Sequence, residues 1–157
     1  MNRVNSVWCH PLFQENYQNL LIAEKKRVFC CHGLNHLLDV ARLMYIRSLE
    51  DNSELDKELI YTTALLHDIG RFVQIDKGIP HNEAGAELAE KILADCGYSK
   101  AESVLICEAI GEHRQGSDSI LGSYLYDADK KSRCCYACDA WDECKWPDEK
   151  KNSEIRV

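Results

Sequence analysis

The chain has 157 residues, 45% of them hydrophobic, enough for one compact domain with its own core and too few for two ordinary domains. A formal charge of -7 and a pI near 5.3 exclude the basic face that nucleic acid or an anionic membrane would require, so a phosphate-bearing molecule must be drawn in by a metal or a few local cations. Nine cysteines, an odd number, fit a reducing compartment, and with no signal-like start and no apolar run near the ~20 residues of a membrane span the protein is expected to be cytoplasmic.

Val7 to Arg27 carries Trp8, Leu12, Phe13, Tyr17, Leu20, Leu21 and Ile22 and reads as one helix, with Pro11 in its first turn. Cys9-His10 is read as structural or incidental, with a ligand for a site elsewhere as the alternative. His32 to Tyr45 reads as a second helix. Leu34, Leu37, Leu38, Ala41, Met44 and Tyr45 form one apolar face, and Val40 and Leu43 lie on another beside His36. His32 and His36 are four apart and stack on one side if Gly33 does not break the first turn. His36 is the better ligand candidate; His32 supports the ligands or faces substrate.

After the Asp51-Asn52-Ser53 break, Leu59, Ile60, Tyr61, Ala64, Leu65 and Leu66 form a buried helix stopped at Gly70, which places His67 and Asp68 in its last turn, pointing inward. Burying an imidazole and a carboxylate is costly unless each finds a partner. A salt bridge between them would serve, and so would a divalent ion held by both.

Arg71 to Pro80 reads as a connector with a Lys77-Gly78 turn. His81 opens an alanine-rich helix that Gly97 ends. Ser99-Lys100-Ala101-Glu102 is a capping box for the next helix, whose inward face runs to His113 with Arg114 beside it. Ile120 to Ser132 is a shorter helix. Asp127 and Asp129 are two apart, about 200° around a helix, so both cannot face one metal, and the stripe of Leu121, Tyr124, Leu125 and Ala128 does not choose between them.

Beyond it, Cys135 and Cys138 stand in C-x-x-C spacing with Cys134 and Cys144 as neighbours. These four suit a structural zinc ion or an iron–sulfur cluster, or else plain reduced thiols packed beside Trp141 and Trp146. The charged tail past Pro147 is expected to be loose at its end.

His36 within His-x-x-x-Val-Ala, then Leu65-Leu66-His67-Asp68-Ile69-Gly70, then Ala128-Asp129-Lys130, in that order between His32 and Lys131, resemble the HD superfamily of metal-dependent phosphohydrolases. The resemblance implies an all-α helical bundle forming a single domain. Residues 1–131 would make the domain, with its core at 28–131, and 132–157 a cysteine-rich C-terminal extension packed on it. It also implies a metal held by His36, His67, Asp68 and Asp129, the family's last aspartate being the one that follows alanine. His81 and His113 resemble the additional histidines of branches with two metals, so one or two ions of Mn, Fe, Ni, Co, Zn or Mg are expected. The chain departs from the family at Arg71, where many members have lysine, and at Lys131 and Ser132, which replace a leucine and an aspartate.

The implied chemistry is hydrolysis of a phosphoester or phosphoanhydride of a nucleotide or similar small molecule by metal-activated water. Asp68 would hold both metal and water, with His32, His81 or His113 as a proton relay and Arg71, Arg114 and Lys130 as the cations for phosphate. An HD-fold di-iron oxygenase shares the extra histidines, and a non-catalytic metal- or nucleotide-binding signalling module is a third reading against which the intact ligand set counts. Substrate identity and oligomeric state, a homo-oligomer included, stay open.

Overall fold

The computed structural model describes residues 1–156, which form eight α-helices and two short 3-10 turns, with no strand among the described residues. Helix α1 (Asn2–Cys9) and α2 (Pro11–Ala23) divide the segment expected to be a single helix. The residue before a proline is driven out of the helical region, and His10 accordingly has ψ 131°, while Pro11 suits the first position of α2. The His10 Nδ1 then accepts the amide of Leu12 at 3.2 Å, so the break is capped by the residue that makes it.

Helix α3 (Leu34–Glu50) begins after Gly33, whose ψ of 178° is extended. His32 therefore lies outside the helix, and its ring meets His36 edge-on at 5.6 Å by way of the connector rather than by helical stacking. Asn52 ends α3 in the left-handed region at φ 51°, with the Ser53 amide closing back on Ser48 O at 2.9 Å.

Helix α4 (Lys57–Leu66) is capped by Asp56, which accepts the amides of Glu58 and Leu59. It is the central element: Leu59, Ile60 and every residue from Thr62 to Leu66 are buried, and it meets α1, α3, α7 and α8. Burial of both its faces follows from an apolar circumference with only small hydroxyls to satisfy. Thr63 Oγ1, for example, donates to Leu59 O at 2.8 Å.

Residues 71–77, expected to be part of a connector, form helix α5 (Arg71–Lys77), closed by Gly78 at φ 74°. Helix α6 (His81–Asp95) pairs with α7 (Lys100–Glu112), and Ser99 and Glu102 make both hydrogen bonds of the capping box. Helix α8 (Ile120–Lys131) lies against α3 and α7.

One close approach fixes the site. A Cβ on Gly70 would lie 2.2 Å from His81 O and 2.5 Å from the Gly85 amide, so α6 can rest on the turn after α4 only because residue 70 is glycine. Among the described residues beyond α8 no helix is longer than the 3-10 turns Cys135–Ala137 and Asp148–Lys150. It returns to the bundle through Asn152, whose amide nitrogen donates to Lys130 O at 2.9 Å and Arg133 O at 2.8 Å. Lys151 Nζ donates to Trp141 O at 3.0 Å, and the Arg133 guanidinium lies 4.0 Å over the Trp146 ring. Among the described residues no helix is long and apolar enough to cross a membrane.

Candidate metal centre

Six side chains from five places in the chain converge at the C-terminal end of α4. His36 comes from the first turn of α3, His67 and Asp68 from the turn after α4, His81 from the start of α6, His113 from the end of α7, and Asp129 from the last turn of α8. His36 Nε2 lies 3.3 Å from His67 Nε2 and 3.6 Å from Asp129 Oδ1. His81 Nε2 lies 3.1 Å from His113 Nε2. Asp68 stands between the two pairs. Its Oδ2 is 3.5 Å from His36 and 3.2 Å from His67, and its Oδ1 is 3.6 Å from His81 and 3.8 Å from His113.

The imidazole tautomers follow from acceptors that can only accept. The Nδ1–H groups of His67 and His113 donate to the carbonyls of Ala64 at 2.7 Å and Ile110 at 2.6 Å, and that of His81 donates to Gln74 Oε1 at 2.6 Å. When neutral, each ring thereby presents an Nε2 lone pair to the centre. Burial lowers His81 to about 3, with Arg71 as the next cause, and burial followed by His67 lowers His113 to about 4. Two neutral rings with lone pairs facing at 3.1 Å repel unless a cation lies between them.

Asp68 makes the same demand more strongly. Both its oxygens are buried with no hydrogen-bond partner, and Arg71 Nε, 2.8 Å from Oδ1, lacks hydrogen-bond alignment. Burial alone would raise this carboxyl; His67, Arg71 and His36 outweigh it and hold Asp68 well below the usual carboxylate range. Asp129 behaves alike: burial opposes ionisation, but His67 and Lys130 bring it down to about 2 despite Asp68. Burial likewise works against a charge on His67, yet Asp68 wins and raises it. Two ionised, buried carboxylates among imidazole lone pairs are the donor set of divalent transition metals. The residues fit one ion among His36, His67 and Asp129 and a second among Asp68, His81 and His113, each trio with ligand atoms within 4.8 Å of one another.

The other residues singled out in the sequence fall unevenly. His32 is buried and lines the cleft of about 320 Å³ that opens on His36, Arg71 and Asp129; its amide and Nδ1 both donate to the buried Glu24, at 2.8 and 2.6 Å. Lys130 Nζ is 2.6 Å from Asp129 Oδ2. Arg114 is exposed and does not line this cleft, acting on His81 only through its charge. Asp127 turns away from the centre and pairs with Arg47.

The four cysteines of the extension are divided, with Cys134, Cys135 and Cys138 all lining the cleft. Cys134 is exposed, with its sulfur toward Ser132 O, and the void bordered by Cys135, Cys138 and Cys144 has Cys30 as its fourth thiol. Three participants escaped the sequence. Arg133 lines the cleft 3.6 Å from Asp129, Gln74 fixes His81, and Glu24 fixes His32. Arg133 had a signal, since it lies one helical turn beyond Asp129; the other two depend on tertiary contacts that no spacing announces.

A family model described as the HD domain matches residues 33–140. A protein of Clostridium beijerinckii, described as uncharacterized, is 44% identical over 132 residues, 84% of each chain. The crystal structure of a predicted HD superfamily hydrolase from an uncultured Thermotogales bacterium has the same fold, with a TM-score of 0.68 at 21% identity over 91% of this chain and 80% of that one. With the matched region spanning the candidate ligands from His36 to Asp129, the chain belongs to the HD domain family.

Proposed function

We propose that the protein is a metal-dependent phosphohydrolase that cleaves a phosphoester or phosphoanhydride of a nucleotide or similar small molecule, with Asp68 shared between two ions. The observation that carries this reading is the buried Asp68 carboxylate, neither oxygen of which is hydrogen-bonded and which turns one oxygen toward each histidine pair. His36, His67 and Asp129 would hold one ion, His81 and His113 the other. A divalent ion bound there supplies Lewis acidity toward a phosphoryl oxygen and lowers the pKa of water.

The chain supplies the remainder. Beside the metal cleft a second lobe of about 270 Å³ is lined by Arg27, Arg71, Arg133, Lys145, Lys150 and Lys151, and by no carboxylate. In a protein of net charge -7 this concentration of cations selects an anion, and it supports phosphate chemistry over oxygen activation. Arg71 and Arg133 line both the cleft and the lobe, where they neutralise charge on a bound phosphate; Phe29 and Trp146 offer aromatic surface in the same wall. His32 is the proton acceptor of this arrangement. Its Nδ1–H is committed to Glu24, burial foremost lowers its pKa, and the neutral ring keeps an accepting Nε2.

The test is phosphate release by the metal-analysed protein from a panel of mononucleotides, dinucleoside polyphosphates and simple phosphoesters. Metal-dependent release is expected from at least one, lost together with bound metal in His67→Ala or Asp68→Ala. Oxygen consumption without phosphate release would overturn the reading in favour of a di-iron oxygenase, and an active, metal-free Asp68→Ala would remove the metal from the mechanism.

A further inference from the structure

Acidic residues outnumber basic ones 26 to 19 in this chain, yet among the described residues the lobe beside the metal cleft is lined by six of the basic and none of the acidic. Two of the six, Arg71 and Arg133, also line the cleft, where they meet a phosphate at the ions. Arg27, Lys145, Lys150 and Lys151 line the lobe alone. A phosphate confined to the cleft would not reach them.

Most of these cations have an anion within the chain. Arg71 lies 2.8 Å from Asp68, Arg133 3.6 Å from Asp129, Arg27 3.8 Å from Glu24 and Lys151 2.9 Å from Asp148. Lys145 and Lys150 are the exceptions. Both are exposed, and neither ammonium has a hydrogen-bond or ion-pair partner among the described residues. An isolated surface lysine of this kind is ordinary. Two of them on one lobe of about 270 Å³, whose wall carries four further cations, repel one another and their neighbours, and an anion among them turns that repulsion into attraction. The wall is also held in place. Lys150 ends the 3-10 turn Asp148–Lys150 and is followed directly by Lys151, which donates to Trp141 O at 3.0 Å, and by Asn152, which donates to Lys130 O at 2.9 Å. Trp146, next to Lys145, carries the Arg133 guanidinium 4.0 Å over its ring.

Size agrees with charge. Small-molecule sites enclose about 300–1,000 Å³. The cleft, at about 320 Å³, lies at the lower end of that range, and the lobe extends it with Phe29, His32, Arg71 and Arg133 common to both walls. We propose that the lobe is the subsite for a second phosphate of the substrate, one that is not cleaved, with Lys145 and Lys150 as its specificity-determining contacts. The proposal rests on the phosphohydrolase reading, which puts the first phosphate at the ions, and it narrows the substrate class to polyphosphate and bisphosphate esters. A phosphate carries close to two charges and three acceptor oxygens, which suits several cations better than the single charge of a carboxylate.

The experiment reads binding rather than turnover, so that failure of the subsite and failure of hydrolysis are told apart. The metal-loaded full chain is titrated calorimetrically in excess magnesium with inorganic triphosphate against orthophosphate, and with fructose 1,6-bisphosphate against fructose 6-phosphate. The wild type is expected to prefer the multiply phosphorylated member of at least one pair by about tenfold, the worth of two exposed charge contacts. The pair that responds tells contiguous phosphates from separated ones. Lys145→Ala/Lys150→Ala should abolish the preference, hold the affinity for the singly phosphorylated member within about twofold and leave metal content unchanged. Lys91→Ala/Lys100→Ala makes the same change of charge at the ends of α6 and α7 away from His81 and His113, and should keep the preference. No preference in the wild type for either pair, its survival in Lys145→Ala/Lys150→Ala, or its equal loss in Lys91→Ala/Lys100→Ala overturns the subsite. The expected preference without phosphate release from any ester would support the subsite and overturn hydrolysis alone.

Discussion

Asp68 is poised between two pairs of imidazoles, with one oxygen for each, and this division of labour predicts separable losses. His113→Ala removes a donor from the trio of Asp68, His81 and His113 alone and is expected to lower metal content by one ion per chain. If Asp68 is shared as proposed, Asp68→Ala, which breaks its own trio and removes the oxygen 3.2 Å from His67, should lower metal content by two ions per chain. Metal analysis after dialysis against a weak chelator measures the difference; equal losses in the two variants would show that the centre binds as a single unit. The residue scale is also where sequence and structure part. Asp127 and Asp129 flank one apolar stripe, and only Arg47, eighty positions away from Asp127, shows which of them turns outward. Gln74 and Glu24 belong to the same class, because a hydrogen bond between elements leaves no periodic trace.

At the scale of elements, the turn after α4 and the start of α6 touch through backbone alone. Gly70→Ala places a methyl group against His81 O and the Gly85 amide, neither of which can swing aside as a side-chain tip could. The variant is expected to lose about 1–3 kcal/mol of stability, the usual cost of overpacking, with a lower melting temperature and weaker retention of metal. Unchanged stability would mean that α6 shifts without strain. Most helices were legible from chemistry that acts locally: the Ser99–Glu102 capping box, the Gly97 stop, and the apolar circumference of α4. The exceptions have local causes that weigh differently. Pro11 breaks the first segment because it constrains the residue before it, and α5 is a helix of seven residues too short for periodicity to reveal between Gly70 and Gly78.

At the scale of the molecule, Arg3 of α1 ties three elements together. Its Nε donates to Glu58 of α4 at 2.9 Å, its Nη1 donates to Glu102 of α7 at 2.8 Å, and its guanidinium lies 4.3 Å over the Tyr98 ring. The Arg3 hydrogen bond, then the Ser99 amide, lower Glu102 below its ordinary 4.5. A carboxyl with a depressed folded-state pKa contributes stability that is whole above 4.5 and disappears as pH falls below it. Melting temperature against pH should therefore drop on the acid side of 4.5, and Glu102→Gln should flatten that limb while leaving the metal centre, at the other end of α7, intact. A limb of unchanged steepness would assign the acid sensitivity to other carboxylates.

Asn152 offers its side-chain amide to the carbonyls of Lys130 and Lys131 at the very end of α8, the helix whose final turn presents Asp129. What resembles a disposable tail is thus the latch on the helix that carries this candidate ligand. A protein shortened for convenience ahead of that asparagine would keep every candidate donor in its sequence and yet lose the grip that holds one of them in place.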